Sequence, residues 1–111
     1  MDIQTITREE LVRCLAGPVP PVLFEALPEP HFAAGHIPGA VAMPLDRIVE
    51  VAARHAPEKD REIVVYCSNT ECQNSKVAAR KLAELGYGSV RVFPGGKAEW
   101  KDAGLALEVT R

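Results

Sequence analysis

The chain has 111 residues, which is the size of one domain and enough to bury a single core without metal ions or disulfide bonds. Its 13 lysine and arginine residues against 15 aspartate and glutamate residues give a formal net charge of −2, and no basic block could follow a phosphate backbone, which argues against a nucleic-acid partner. The first ten residues lack the pattern of a signal peptide, and no apolar run approaches the roughly 20 residues that span a bilayer. We therefore expect a soluble cytoplasmic protein without a membrane partner, formed by one domain over residues 1–111.

Helical and strand patterns alternate along the chain, which predicts an α/β fold with a mostly parallel sheet. Thr7 and Glu10 have the spacing of a capping box at the start of the first helix. The predicted strands are "IQTI", Val22–Glu25, Ala40–Met43, "EIVVYC" and "SVRVF", and the predicted helices lie in "TREELVRCLAG", "LDRIVEVAARH", "SKVAARKLAELG" and "GGKAEWKDAG". The near-continuous β-branched run "EIVVYC" is typical of a central strand that is covered on both faces.

Cys67 ends this central strand, and the polar loop "CSNTECQNS" leads from it into a helix that we expect to begin near Ser75. In open α/β sheets the chemistry gathers beyond the carboxyl ends of the strands. The amino end of a helix also stabilises a thiolate, a persulfide or a bound oxyanion. A small buried apolar side chain is the alternative for Cys67, but its position favours a functional thiol. Because the three cysteines have no framework spacing, we expect thiols rather than structural disulfide bonds.

Four segments resemble the single-domain rhodaneses, a sulfurtransferase family: "VLFEALPEPHFAAGHIPGAVAMP", "IVVYC" with its loop, "SKVAARKLAELGYGSVRVFPGG" and "EWKDAGL". The resemblance implies a five-stranded, mainly parallel sheet flanked by helices on both faces, with Cys67 as the catalytic residue. It also implies that the Cys67 thiolate attacks the outer sulfur of a donor such as thiosulfate, and that the resulting persulfide passes sulfur to cyanide or another thiol. The expected partners are this small donor and acceptor, with a protein sulfur acceptor or a thiol reductant as further candidates, and no cofactor is expected. The substrate-binding loop would consist of Ser68, Asn69, Thr70, Glu71, Cys72, Gln73, Asn74 and Ser75.

The loop departs from the common rhodanese pattern by two extra residues and by Asn74, which stands where an arginine usually precedes the first serine of the helix. Without that cation, Glu71 is expected to repel thiosulfate and to raise the pKa of the Cys67 thiol, so we expect weak thiosulfate turnover. Glu25 and Leu27 replace an aspartate and an arginine that often follow the second strand in this family. A phosphatase of the same fold is disfavoured because the loop holds no arginine that could bind phosphate.

Cys72 is the distinctive residue of the loop. Its offset of five residues from Cys67 allows the two Cβ atoms to come within disulfide reach. Cys72 is therefore a candidate resolving thiol, which would attack a persulfide or sulfenic acid on Cys67 and leave a disulfide for a reductant to open. An uninvolved loop thiol fits the spacing equally well. Two function classes remain open: a sulfurtransferase that works through a Cys67 persulfide, and a rhodanese-like redox-sensing or binding module that uses the Cys67/Cys72 pair with little sulfur turnover.

The histidines and the tryptophan are expected to serve the fold rather than the chemistry. His31, His36 and His55 are too far apart in sequence to suggest a zinc site with the cysteines, so no metal is expected. His36, in "GHIPG", is expected to fix a turn through hydrogen bonds. Trp100 is expected to fill the core under the last helix.

Overall fold

The computed structural model describes residues 3–109. Strands and helices alternate along these residues, as the sequence predicts. In chain order they are β1 (Gln4–Thr5), α1 (Arg8–Leu15), β2 (Val22–Glu25), α2 (Glu29–Ala34), β3 (Val41–Ala42), a 3₁₀ turn (Leu45–Arg47), α3 (Ile48–His55), β4 (Ile63–Tyr66), α4 (Asn74–Glu84), β5 (Val90–Phe93) and α5 (Gly96–Asp102). None of the helices within residues 3–109 is long and apolar enough to cross a membrane.

The five strands form one sheet in the order β1-β5-β4-β2-β3, and every neighbouring pair is parallel. This confirms the predicted five-stranded α/β architecture. Strand β4 lies at the centre and all four of its residues are buried, as its β-branched run predicts. The register places Glu25 of β2 beside Tyr66 of β4. Because parallel strands end at the same edge of a sheet, Glu25, Tyr66 and Cys67 meet at its carboxyl edge.

Helices cover both faces of the sheet, as predicted. Successive side chains of β4 point to opposite faces, so Ile63 and Val65 belong to one core cluster while Val64 and Tyr66 belong to the other. On the first face, α3 and α4 pack on the sheet through Ile48, Val51, Ala52, Ala78 and Leu82. On the second face, α1 and α5 contribute Leu11 and Trp100.

The first helix starts with the predicted capping box. The Thr7 side chain accepts a hydrogen bond from the backbone N–H of Glu10 at 3.1 Å, and the Glu10 carboxylate accepts one from the backbone N–H of Thr7 at 3.2 Å. These bonds satisfy N–H groups that a helix terminus leaves without intrahelical partners. The capping bonds also lower the pKa of Glu10.

Candidate active site at the carboxyl edge of the sheet

Cys67 immediately follows β4 and is 1% exposed. The loop after it runs to Gln73, and α4 begins at Asn74, one residue before the predicted start. The first turn of α5 holds the backbone of this corner from the other side: the Lys97 N–H donates to the Cys67 carbonyl at 3.0 Å, and the Ala98 N–H donates to the Ser68 carbonyl at 2.9 Å. The candidate cysteine therefore lies in a rigid corner between the central strand and two helices.

Asn69 folds the loop back on itself. Its side-chain oxygen accepts hydrogen bonds from the backbone N–H groups of Glu71 at 3.0 Å and Cys72 at 3.2 Å. Its carbonyl also lies 3.2 Å from the Cys72 nitrogen. Short Asn side chains commonly stabilise turns in this way. The turn returns Cys72 toward Cys67, which the spacing of the two cysteines allowed but could not establish.

Cys72 lies beside Cys67 in the folded loop. The Cys67 sulfur lies 3.4 Å from the Cys72 carbonyl oxygen and 3.4 Å from Ser75 Oγ. Cys67 is buried, whereas Cys72 is partly exposed. Cys67 is therefore shielded from solvent, while Cys72 is partly accessible to it.

The pKa values of the two thiols move in opposite directions. Burial raises the pKa of Cys67, and the neighbouring Cys72 raises it further, against the opposing effect of Ser75. Burial also acts to raise the pKa of Cys72, but the hydrogen bonds from the Cys67 thiol and from the backbone N–H groups of Ser68 and Asn74 outweigh it, so the pKa is lowered. These directions favour Cys72 as the member of the pair that loses its proton first.

Thr70, Glu71 and Gln73 are exposed residues of the loop. Glu71 was expected to raise the pKa of Cys67, but burial and Cys72 account for the increase, and Glu71 itself is exposed. Thr70 is exposed beside a cleft of about 440 Å³ that Arg8 also lines. The Gln73 side-chain amide lies 3.4 Å from the Glu71 carbonyl.

Asn74, which replaces the arginine of the common pattern, ties the start of α4 to the neighbouring strand. Its side-chain N–H donates to the Ala26 carbonyl, just beyond β2, at 3.0 Å. The Ala26 N–H in turn donates to the Tyr66 carbonyl at 2.9 Å. Asn74 thus fixes the helix that stands above Cys67, but it supplies no positive charge for an anionic donor.

A buried ionic network below the loop was missed by the sequence analysis. The Glu25 carboxylate is fully buried, and it accepts hydrogen bonds from the Tyr66 hydroxyl at 2.7 Å and from Lys97 Nζ at 3.3 Å. Lys97 Nζ also donates to the carbonyls of His31 at 2.9 Å and Gly35 at 2.8 Å, so all three of its donors are used. Burial and the Glu25 charge raise the pKa of Tyr66, which keeps its hydroxyl neutral. A glutamate that ends an otherwise apolar strand, in "VLFE", was the available signal.

His36 and Trp100 have the structural roles that the sequence predicts. His36 Nδ1 lies 2.9 Å from the Phe32 carbonyl, and its ring stacks on the Phe32 ring with a centroid separation of 3.8 Å. Trp100 is buried, and its ring N–H donates to the Ala106 carbonyl at 3.0 Å. Within residues 3–109, no group of three or more His, Cys, Asp or Glu side chains could hold a metal ion.

The opposite pKa directions predict an order of alkylation. A thiolate reacts with iodoacetamide and a thiol does not, so a limiting dose near neutral pH should modify Cys72 before the buried Cys67. Peptide mass spectrometry after a time course reads the two rates separately, and unfolding in denaturant should remove the difference. Equal rates in the folded protein would contradict the assignment of the charge to Cys72.

Comparison with known proteins gives a consistent result. The model of the family described as "Rhodanese-like domain" matches residues 7–103. The chain is 36% identical over 108 residues to the "HTH-type transcriptional regulator Rv0324" of Mycobacterium tuberculosis, covering 93% of this chain and 44% of that protein. It is 32% identical over 87 residues to the "Adenylyltransferase and sulfurtransferase UBA4" of Candida albicans, covering 73% of this chain and 19% of that protein. The chain thus spans less than half the length of these two relatives.

A solved structure resembles the whole domain. The solution structure of the rhodanese-like domain of the Alr3790 protein from Anabaena sp. superposes with a TM-score of 0.81 at 32% sequence identity. The match covers 98% of this chain and 80% of that one. The shared fold therefore extends over nearly all of the chain.

Proposed function

The chain belongs to the rhodanese-like domain family, and on that premise we propose that it is a sulfurtransferase that carries sulfane sulfur as a persulfide on Cys67. The observation that supports this most directly is the position of Cys67, which follows the central strand at the carboxyl edge of the sheet and faces the start of α4. This is the edge where open α/β sheets place their chemistry. The sulfurtransferase named among its relatives is consistent with the proposal.

The proposed reaction uses the two thiols in sequence. The Cys72 thiolate accepts the proton of Cys67, and the Cys67 thiolate so formed attacks the outer sulfur of a donor such as thiosulfate. The sulfur–sulfur bond of the donor breaks, sulfite leaves with the electron pair, and Cys67 retains the outer sulfur as a persulfide. Attack by cyanide or another thiol on that outer sulfur then releases Cys67. The amino end of α4 and the neighbouring backbone N–H groups stabilise the negative charge during both steps.

A variant series tests this proposal. After incubation with thiosulfate and removal of the donor, intact-mass spectrometry should show one added sulfur atom on Cys72→Ser, which keeps Cys67 but lacks the second thiol of the loop, and none on Cys67→Ser. Cys14→Ser combined with Cys72→Ser is the matched control, because Cys14 lies in α1 away from the loop, and it should load sulfur as Cys72→Ser does. Loading of Cys67→Ser at the level of Cys72→Ser would show that the carrier is another residue.

Thiosulfate is expected to be a weak donor, because the loop contains Glu71 and no arginine. Glu71→Gln should raise kcat/KM for thiosulfate by about 1.4- to fivefold at low salt, since exposed charge pairs contribute about 0.2–1 kcal/mol. High salt should reduce the gain, because it screens exposed charges. Glu84→Gln, the same change at the far end of α4, is the control and should leave kcat/KM unchanged. A gain that persists in high salt would rule out the electrostatic explanation.

Asn74→Arg should also raise kcat/KM for thiosulfate, because it adds a positive charge to the loop. This variant is a less specific test, because it also removes the hydrogen bond from Asn74 to the Ala26 carbonyl.

A redox-sensing or binding module is the second candidate function. It is supported by the adjacent positions of Cys67 and Cys72, and one of the chain's relatives is named a transcriptional regulator. In that case peroxide should convert the pair into a disulfide, while sulfur donors should leave no persulfide on Cys67 even in Cys72→Ser. Intact-mass measurement of the wild type after peroxide and of Cys72→Ser after thiosulfate separates the two functions.

A further inference from the structure

We propose that Cys72 discharges the Cys67 persulfide by forming a Cys67–Cys72 disulfide and releasing hydrosulfide, so that the domain reduces sulfane sulfur at the expense of a dithiol reductant. This inference rests on the proposed function, because it requires the persulfide on Cys67. The sulfur bound to Cys67 would then have a second fate, release as hydrosulfide. This release does not require an external acceptor to enter the buried site.

The geometry supports an internal acceptor. Cys67 is 1% exposed, so a bulky thiol acceptor cannot contact it without a change in the loop. Cys72 already lies beside it, because the turn at Asn69 brings the Cys72 carbonyl oxygen to 3.4 Å from the Cys67 sulfur. A nucleophile fixed beside its target reacts as if it were present at a very high concentration. The attack on Cys67 by Cys72 is therefore expected to outcompete external thiols.

The Cys72 thiolate has a choice of two sulfur atoms in the persulfide. Attack on the outer sulfur would expel the Cys67 thiolate, and attack on the Cys67 sulfur would expel hydrosulfide. Exchange is faster when the leaving group is the weaker base. Burial raises the pKa of Cys67, which makes its thiolate the poorer leaving group. Attack on the Cys67 sulfur is therefore favoured.

The balance of this step is complete without an external oxidant. The proton that Cys72 took from Cys67 passes to the outer sulfur of the persulfide, which restores the Cys72 thiolate. The Cys72 sulfur then forms a bond to the Cys67 sulfur, the bond from Cys67 to the outer sulfur breaks, and hydrosulfide leaves with that proton and the electron pair of the broken bond. The sulfane sulfur is reduced to hydrosulfide, and the two cysteines are oxidised to a disulfide. A dithiol reductant then restores both thiols, and Cys72 offers it the accessible sulfur because Cys72 is the partly exposed member of the pair.

A single-turnover experiment without reductant tests the inference. Fully reduced protein is mixed with thiosulfate, free thiols are blocked with iodoacetamide, and hydrosulfide is quantified beside the intact mass. The wild type should release about one hydrosulfide per chain and should become resistant to alkylation at Cys67 and Cys72. Cys72→Ser should retain the persulfide and release at least tenfold less hydrosulfide. Cys14→Ser should match the wild type, and later addition of a dithiol should restore loading of the wild type.

The outcomes separate the inference from the function on which it rests. A stable persulfide on the wild type, with no disulfide, would overturn the role of Cys72 and leave the sulfurtransferase proposal in place. Absence of any loading in wild type and variants would overturn both. If peroxide nevertheless produced the Cys67–Cys72 disulfide in that case, the redox module would be the supported function. Sulfur found on Cys72 in Cys67→Ser would overturn the assigned order of the two thiols.

Discussion

Lys97→Met should lower the free energy of unfolding by about 3–5 kcal/mol, the usual result of removing one partner from a buried ion pair. The Glu25 side chain is fully buried and the Lys97 side chain is 18% exposed. Among residues 3–109, removing the ammonium leaves the carboxylate with the Tyr66 hydroxyl as its one side-chain donor, and it also removes the Lys97 donor from the carbonyls of His31 and Gly35. Urea unfolding followed by the fluorescence of the single tryptophan, Trp100, measures the loss.

Two further variants make this measurement specific. Lys101→Met removes the same charge from an exposed position on the same helix, and surface substitutions of this kind usually change stability by less than about 0.5 kcal/mol. Glu25→Gln combined with Lys97→Met should recover much of the loss, because the remaining amide carries no buried charge and can still accept from Tyr66. A double variant no more stable than Lys97→Met alone would show that the lost carbonyl contacts, rather than the unpaired carboxylate, dominate.

The network is also connected to the candidate catalytic corner. The backbone N–H of Lys97 holds the Cys67 carbonyl, while its side chain reaches β2 and the segment around α2. One residue therefore ties the start of α5 both to the candidate catalytic corner and to the neighbouring strand. The aspartate and arginine that often follow the second strand in this family are absent here, and Glu25 with Lys97 provides an ionic brace at this edge of the sheet.

The parts of the site that depend on residues close together in the sequence could be predicted. The β-branched run before Cys67 and the helical spacing after Ser75 placed the cysteine at the end of a central strand and near the start of a helix, and both were confirmed. The edge strand β3 is shorter than predicted, with Val41–Ala42 in place of Ala40–Met43. Strand ends of this kind depend on the partner strand as much as on their own residues.

The contacts that join distant segments could not be predicted in the same way. Lys97 meets Glu25 across 72 positions of sequence, and Tyr66 meets Glu25 across 41. Both contacts require the register of β2 against β4 and the position of α5, which no local pattern specifies. The pKa of Cys67 shows the same limitation: the sequence suggested a nearby charge, whereas burial by the completed fold is the main cause.

Gly96→Ala should destabilise the domain and displace the loop that carries Cys67. Gly96 has a φ of 59°, in the left-handed region that favours glycine, and a Cβ there would lie 2.9 Å from the carbonyl carbon of Cys67 and closer still to its oxygen. Gly104→Ala is the matched control, since Gly104 has a φ of 80° and no atom within 4 Å of the added Cβ. The control should lose about 1–2 kcal/mol from backbone strain alone, and Gly96→Ala should lose about 1–3 kcal/mol more because the new methyl group overpacks the corner.

The same pair of variants separates stability from the chemistry of the site. Under conditions where both remain folded, Gly104→Ala should take up sulfur from thiosulfate at the wild-type rate. Gly96→Ala should load at least tenfold more slowly, because a displacement of about 1 Å at a reacting group can cost roughly 100-fold in rate. Urea unfolding and intact-mass measurements on the same preparations provide both quantities. Equal losses of stability in the two variants, with equal loading, would show that the close approach of Gly96 to Cys67 does not hold the candidate catalytic corner in place.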